Sequence, residues 1–274
     1  MILSLLRTAR CFAHDLKNAL LGNSAPHWRP RLVLDSAIAV GRPGASRASY
    51  VDNLDKEEVS RRYILDMLPA QAPGRRLRFL DVGGRDGELT YLLGGTGPLA
   101  FDVDVRARNK RKFDTLYDYF CIDLIPAGPH VLHGDICDRT FLETYRDFAG
   151  SFDVVYSNNV FEHLARPWIA AEILLALLKP GGVCITIVPF SQRYHESPGD
   201  YFRYTHTGIP KLFEAVGPVR ILEAGYDTRA RRYDWQGNGD ANDLVAVDRY
   251  GAWRETWISV SVLEKPAVPA GTKN

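Results

Sequence analysis

Residues 189–205, PFSQRYHESPGDYFRYT, hold the chain's densest set of chemically capable side chains. His195 is a candidate general base, because imidazole is the side chain whose ordinary pKa lies nearest neutrality. Asp200, Tyr201, Arg203 and Tyr204 carry the charges and hydroxyls needed to hold an acceptor molecule. The same spacing also allows a plain structural arrangement, with Arg203 paired to Asp200 and the aromatic rings packed on a helix. A second group lies at 156–164, YSNNVFEHL. There Asn158 and Asn159 can hydrogen-bond through side chain or backbone. His163 is a second candidate base, or a structural group beside Glu162. A third stretch, FLDVGGRDGELTYLL at 79–93, reads as a buried strand ending in Asp81 and turning through Gly83, Gly84 and Gly87 into a helix.

That turn excludes two ligand classes. A dinucleotide turn follows G-x-G-x-x-G; started at Gly83, it requires glycine where Arg85 stands. No phosphate-binding G-x-x-x-x-G-K followed by Ser or Thr occurs either. An acidic strand end followed by small residues exposes backbone N–H groups without requiring a diphosphate. Arg85 either faces solvent or supplies a counter-charge to a ligand carboxylate.

The elements that must position these residues follow from periodicity. DNLDKEEVSRRYILDML, from Asp52, reads as a helix with early acids, later arginines and an apolar face of Val59, Tyr63, Ile64, Met67 and Leu68. Pro69 and the following APG should stop it. Strands are expected at 77–82, 119–124, 130–136, 152–158, 183–190, 220–226 and 256–265. Helices are expected at 86–93, 139–149, 167–178 and 209–216, with KPGG at 179–182 as a turn. Near-continuous apolar strands between amphipathic helices predict a parallel sheet covered on both faces. LAFDVDV, ending near Asp104, can itself be a strand, and the basic RARNKRK after it a solvated helix face or loop.

Composition sets outer bounds. The chain has 274 residues, 46% hydrophobic and 24% charged, with a formal net charge of +1. That charge argues against a nucleic-acid partner held by a dominant positive field. Cys11, Cys121, Cys137 and Cys184 lie far apart, which favours buried reduced thiols in a cytoplasmic protein over disulfides or a metal site. No run is long and apolar enough to span a bilayer. Residues 1–22 show helical apolar spacing broken by Arg7, Arg10 and Lys17. This segment reads as a helix docked on the body, a homodimer contact, or a peripheral membrane contact. Residues 1–70 are expected to form a helical attachment and linker, 71–274 the main domain, and 227–255 an insertion before the last strand.

LDVGGRDGEL resembles the first motif of class I S-adenosylmethionine-dependent methyltransferases, D-x-G-x-G-x-G: Asp81, Gly83 and Gly87 match and Arg85 departs. YFCIDLIPAGPHVLHGDICD, FDVVYSNNVFEHL, LLKPGGVCITIVPF and the segment 189–217 resemble the later landmarks, in order, of the type-11 methyltransferase-like families. The likeness covers roughly residues 77–217; the ordered set carries it, not any single motif. It implies a Rossmann-like α/β sandwich with a seven-stranded, mostly parallel sheet and an antiparallel late strand.

The resemblance also implies roles. Asp81, Gly83, Gly84 and Gly87 would meet the amino-acid tail of S-adenosyl-L-methionine, where a side chain at Gly83 would occupy the ligand's space. A carboxylate after the second strand would take the ribose hydroxyls. Asp123 is preferred and Asp104 is the alternative. Choosing Asp123 requires the second crossover helix to be reduced to a loop before Asp135. Asp135 and Ile136 would meet the adenine, and Asn158 the cofactor edge. His195 and His163 are the candidate catalytic bases, and Asp200, Tyr201, Arg203 and Tyr204 the candidate acceptor contacts. The implied reaction is methyl transfer to a small-molecule acceptor, on an oxygen of a sugar or secondary metabolite. The fourth-strand loop lacks the Asp/Asn/Ser-Pro-Pro-aromatic sequence of nucleic-acid amino methylation. Two alternatives stand beside this: a cofactor-binding interaction or regulatory protein without catalysis, and a protein or RNA methyltransferase docking through Arg106, Arg108, Lys110, Arg111 and Lys112.

Overall fold

The computed structural model of the chain describes residues 54–84, 103–126, 128–192, 194, 199–227 and 257–267. The expected elements at 1–53, at 86–93 and at 228–256 lie outside the described residues.

The first helix, α1 (Lys56–Arg61), starts where the Asp55 carboxylate accepts the N–H groups of Glu57 and Glu58 at 3.1 and 3.2 Å. It continues through a π-helical stretch, Arg62–Met67, and a last turn, Leu68–Ala70. Pro69 in a regular helix would clash with the carbonyl four residues back, and a widened turn upstream is the expected response. The wider turn rotates the apolar face. Leu65 is buried at 4% exposure while Met67, expected inside, is 38% exposed. The helix ends at Ala70, between Pro69 and the APG expected to stop it.

The sheet contains β1 (Leu77–Val82), β2 (Tyr117–Asp123), β3 (Val131–His133), β4 (Phe152–Asn158), β5 (Leu178–Ser191), β6 (Arg220–Asp227) and β7 (Trp257–Glu264). Their order is β3-β2-β1-β4-β5-β7-β6. β7 runs antiparallel to both β5 and β6, and the other pairings are parallel. This is the mixed seven-stranded, Rossmann-like architecture expected from the sequence. The helix α2 (Val103–Leu116) leads directly into β2. Residues 103–105, read as the end of a possible strand, therefore open a helix, and Asp104 stands in its first turn. The described residues between β2 and β3 form a loop without a helix.

On one face, Val59 of α1, Tyr63, Ile64 and Leu65 of its π-helical continuation and Phe113 of α2 pack on Phe79, Val154, Ile185 and Val260. α1 therefore shares the sheet's core. It is also pinned to β6, because the Arg62 guanidinium forks onto Glu223 at 2.8 and 2.9 Å. The other face is covered by α3 (Thr140–Thr144), α4 (Pro167–Leu177) and α5 (Gly208–Glu214). These bury Leu80, Val82, Ile122, Val155 and Cys184 beneath Phe141, Ile173 and Phe213. Each such side chain stabilises the fold by about 1.5–3 kcal/mol relative to exposure. Cys121, Cys137 and Cys184 are buried thiols that form no disulfide among the described residues. Burial pushes the Cys184 thiol up to about 12, which keeps it protonated and inert.

KPGG, expected as a turn, is instead a bulge within β5. Phe152 pairs with Leu178, yet Val154 pairs with Val183. Gly181 takes a left-handed φ of +78° there, and its N–H reaches Lys265 O at 2.7 Å.

Candidate active site

The residues able to bind a ligand gather at the carboxyl ends of β1, β2, β3 and β4, where open α/β sheets take their ligands. Asp81 is 2% exposed and receives the Tyr119 hydroxyl at 3.1 Å. Burial first, and then Asp81 itself, hold the Tyr119 hydroxyl far above its ordinary range. Gly83 has φ +72°, and its N–H donates to Ile122 O at 2.8 Å. A Cβ on Gly83 would meet Val160 Cγ2 at 2.9 Å, and one on Gly84 would lie 2.1 Å from Asp81 Oδ2. Both glycines are thus required: the first by backbone conformation, the second because the Asp81 carboxylate occupies the space of a side chain. Gly87 and Arg85 lie outside the described residues.

Asp123 closes β2 and registers with His133 of β3, and its Oδ1 accepts the Ile125 N–H at 2.9 Å. Asp104 is in α2, at the opposite end of the connection into β2. Asp135 follows β3, with Oδ1 accepting the Cys137 N–H at 2.7 Å. That bond makes it a turn-former, as its position also allows, and leaves Oδ2 for another partner. Ile136 is buried beside it, 4% exposed.

β4 ends in Ser157 and Asn158. Ser157 is fully buried, and among the described residues its Oγ and Asn158 Oδ1 have no hydrogen-bond partner. Such orphaned buried groups carry a desolvation cost unless a ligand or water satisfies them. Asn159 then turns with φ 54°, which asparagine tolerates better than most residues, and its N–H bonds Ile187 O at 2.8 Å. This turn places Val160 against Gly83.

A short 3₁₀ turn, Phe161–His163, follows. Glu162 is fully buried. Burial raises its carboxyl to about 7; its own backbone N–H and Arg203 oppose the rise, and Asp200 adds to it. The His163 Nδ1 faces Gly199 O as a hydrogen-bond partner. A carbonyl only accepts, so Nδ1 carries the proton and Nε2, 3.7 Å from Glu162 Oε1, carries the lone pair in the neutral ring.

The segment after β5 is tied onto this turn. Tyr201 N and Phe202 N donate to Glu162 O at 2.7 and 3.3 Å. Arg203 forks onto Asp200, with Nη2 to Oδ2 at 2.6 Å, and also reaches Gln192 O. The Asp200 side chain is fully buried in that pair. Tyr204 is 9% exposed, with its hydroxyl on Phe161 O at 3.1 Å. Tyr201, by contrast, is 58% exposed. Of the four acceptor candidates, three are therefore engaged inside the protein and Tyr201 faces outward. His195 lies outside the described residues.

Ser157, Val160 and Tyr119 belong to this site although sequence reasoning passed over them. Their only signal was position: Ser157 beside the Asn-Asn turn, Tyr119 two residues before Cys121 on the strand paired with β1. Among the described residues, no group of three His, Cys, Asp or Glu side chains is arranged to hold a metal ion.

S-adenosylmethionine fits these residues. A glycine cradle without side-chain room abuts a buried carboxylate, a second carboxylate closes the adjacent strand, and two buried polar atoms beside them lack partners among the described residues.

A family model described as a methyltransferase domain matches residues 53–228. The chain belongs to that methyltransferase family, with the class I fold its strand order describes. The matched span opens with α1, not with β1. No curated protein matches the chain. Similar solved structures include a chain of the complex between the Haloferax volcanii Trm112 methyltransferase activator and a methyltransferase. It is 19% identical with a TM-score of 0.43, covering 77% of this chain and 92% of that one. Burkholderia thailandensis 1,6-didemethyltoxoflavin-N1-methyltransferase, solved with its namesake substrate and S-adenosylhomocysteine, is 15% identical at TM-score 0.43, covering 76% and 79%. The YcgJ protein of Bacillus subtilis is 10% identical at TM-score 0.44, covering 74% and 97%. No helix among the described residues is long and apolar enough to cross a membrane.

Proposed function

We propose that this chain is an S-adenosyl-L-methionine-dependent methyltransferase acting on a small-molecule acceptor, at an oxygen of a sugar or secondary metabolite. The observation that carries the reading is the Gly83–Gly84 turn packed on buried Asp81, one strand away from Asp123. In this reading Asp81 and the backbone of Gly83, Gly84 and Gly87 hold the cofactor's amino-acid tail. Asp123 accepts from the two ribose hydroxyls, Asp135 and Ile136 border the adenine, and Asn158 lies at the cofactor edge. The bound cofactor supplies an electrophilic methyl group on a sulfonium. The chain's own work is to orient the acceptor in line and to remove its proton, a step in which a positioned base contributes about 10²–10⁴-fold. His195 is the proposed base. His163, with Nδ1 committed to Gly199 O, has only Nε2 to offer, so it is the second choice.

A small acceptor is favoured over RNA because two cations of the basic α2 stripe are already paired, Lys110 with Asp114 and Lys112 with Asp66. The buried, unbridged thiols Cys121, Cys137 and Cys184 support a cytoplasmic setting.

Calorimetric titration with S-adenosylhomocysteine tests the reading. Saturable binding in the micromolar range is expected. An empty site at millimolar ligand, or preferential binding of a pyridine dinucleotide, overturns it.

A further inference from the structure

We propose that the carboxyl ends of β5 and β6 form a polyol-binding subsite, in which Glu57 Oε2, Gln192 Oε1 and His206 Nδ1 hydrogen-bond the hydroxyl groups of the acceptor. The inference rests on the methyltransferase reading only in calling the bound polyol the acceptor. The subsite itself stands on three buried atoms that the fold leaves unbonded.

Topology brings the three residues to one edge of the sheet. β7 runs antiparallel to both β5 and β6, so those two strands point the same way. They end on the edge shared by the carboxyl ends of β1 and β4. Only β7 lies between them, which sets their ends about 10 Å apart at the usual strand spacing. Gln192 is the first residue after β5, and its main-chain O accepts Arg203 Nε at 3.2 Å. His206 lies against the end of β6. Its ring meets the Tyr226 ring edge-on with centroids 4.8 Å apart, and Tyr226 packs in turn on Phe190 at 4.9 Å. Glu57 arrives from the opposite face. Leu54 N donates to Tyr226 O at 2.9 Å and Lys56 N to Asp227 Oδ2 at 3.1 Å, which fixes the first turn of α1 on the end of β6. Ser60, one turn on from Glu57 and 1% exposed, marks the side of the helix that faces the sheet. Tyr226 and Asp227 point to opposite faces, so His206 and Glu57 flank one strand end from both sides.

Each residue presents a buried polar atom with no hydrogen-bond partner among the described residues: Glu57 Oε2, Gln192 Oε1 and His206 Nδ1. Buried polar atoms are bonded in nearly all folded proteins, and exceptions gathered in one place point to a ligand. Ser157 Oγ and Asn158 Oδ1 mark the end of β4 in the same way. The atom types set the ligand's chemistry. Carboxylate and amide oxygens only accept, so both require donors. A nitrogen of neutral imidazole either accepts or donates, and a hydroxyl answers both. A cationic ligand would suit Glu57 alone. A ligand with several hydroxyls satisfies all three atoms at once. Burial above all raises the Glu57 carboxyl to about 7; Lys56 opposes the rise, and Asp55 and Asp227 add to it. A carboxyl shielded from water and given no donor behaves in this way.

Saturation-transfer NMR on the full chain tests the proposal, with myo-inositol as the polyol probe and phenol as a probe with a single hydroxyl. Myo-inositol is expected to bind with a Kd of about 1–10 mM and phenol more weakly. Glu57→Leu, Gln192→Leu and His206→Phe should each weaken myo-inositol binding about fivefold or more, with phenol unmoved. Glu58→Gln, at the exposed neighbour of Glu57, should leave myo-inositol affinity unchanged. Absence of myo-inositol binding to the wild type overturns the proposal without reference to any variant, and so does tighter binding of phenol. Myo-inositol affinity untouched by the three substitutions, or lowered equally by Glu58→Gln, also overturns it. Titration with S-adenosylhomocysteine separates the two readings. Polyol binding without nucleoside binding removes the methyltransferase proposal and leaves the subsite. Nucleoside binding without polyol binding removes the subsite alone.

Discussion

The two ends of β4 treat their polar groups in opposite ways. At the amino end, Asp153 is almost fully buried and satisfied on every side. Arg75 forks onto it at 2.8 and 3.1 Å, Arg78 N donates at 2.8 Å, and Lys179 adds a further ion pair. At the carboxyl end, four and five residues on, Ser157 Oγ and Asn158 Oδ1 are buried without partners among the described residues. Both ends belong to one strand in one sheet, so exposure does not explain the difference. Asp153 joins the bulge of β5 to the loop before β1, and its bonds serve the fold. The other end is arranged with unused bonding capacity, which is what a ligand requires.

Removing the Asp153 carboxylate should have the largest effect on stability. Asp153→Ala leaves the Arg78 N–H and two cations uncompensated. It is expected to cost about 3 kcal/mol in urea unfolding, discounted because Arg75 is half-exposed. S-adenosylhomocysteine affinity per folded molecule should stay within about threefold. An equal loss of binding would erase the contrast between the two ends.

Glu162 gives the next effect, and its sign is fixed. Its folded pKa of about 7 lies above the ordinary 4.5, so the fold favours the protonated form. Its stabilising contribution is complete below pH 4.5 and is lost as the pH rises through about 7. The stability difference between Glu162→Gln and wild type should therefore grow in the variant's favour from acid to alkaline pH, by about 2–3 kcal/mol. Denaturant titrations at each pH check this, and a constant difference contradicts it.

At the ligand end, Asp123→Ala should weaken S-adenosylhomocysteine binding about tenfold or more, near 1.4 kcal/mol, with little change in unfolding. Asp104→Ala should leave affinity within about twofold. The reverse result would move the ribose contact to α2. The smallest effect is expected at Ser157. Ser157→Ala removes a hydroxyl with no partner among the described residues, so stability should change by under about 0.5 kcal/mol or improve. A loss above about 2 kcal/mol would mean that Ser157 is bonded within the fold.

Local pattern carried much of this far. β4 and α4 follow their apolar runs closely, and the short spacing from Asp123 to Asp135 foretold a crossover without a helix. Local pattern misled where Pro69 widened a helix and where long-range partners intervened. Met67 fitted the apolar face of a regular helix until the π-helical turn brought Leu65 in its place. LAFDVDV looked strand-like, but its end opens α2, whose Phe113 packs edge-on to Phe79 with centroids 5.0 Å apart. KPGG has turn composition, yet Lys265 bonds both Gly181 and Gly182 and draws it into the sheet.

The sequence by itself determined the alternation of strands and helices, the exclusion of dinucleotide and phosphate-loop turns, and the glycine positions at the end of β1. Those features depend on steric limits and periodicities that act within a few residues. Only the tertiary structure decided which charged groups are committed to the fold. Asp200, Arg203 and Tyr204 have the composition of a binding loop; the Asp200–Arg203 pair is local and was one of two arrangements the spacing allowed, but the attachment of their segment to the Phe161–His163 turn depends on contacts some forty residues apart. Bond satisfaction and desolvation are properties of a side chain's surroundings in space, and a linear pattern does not carry them.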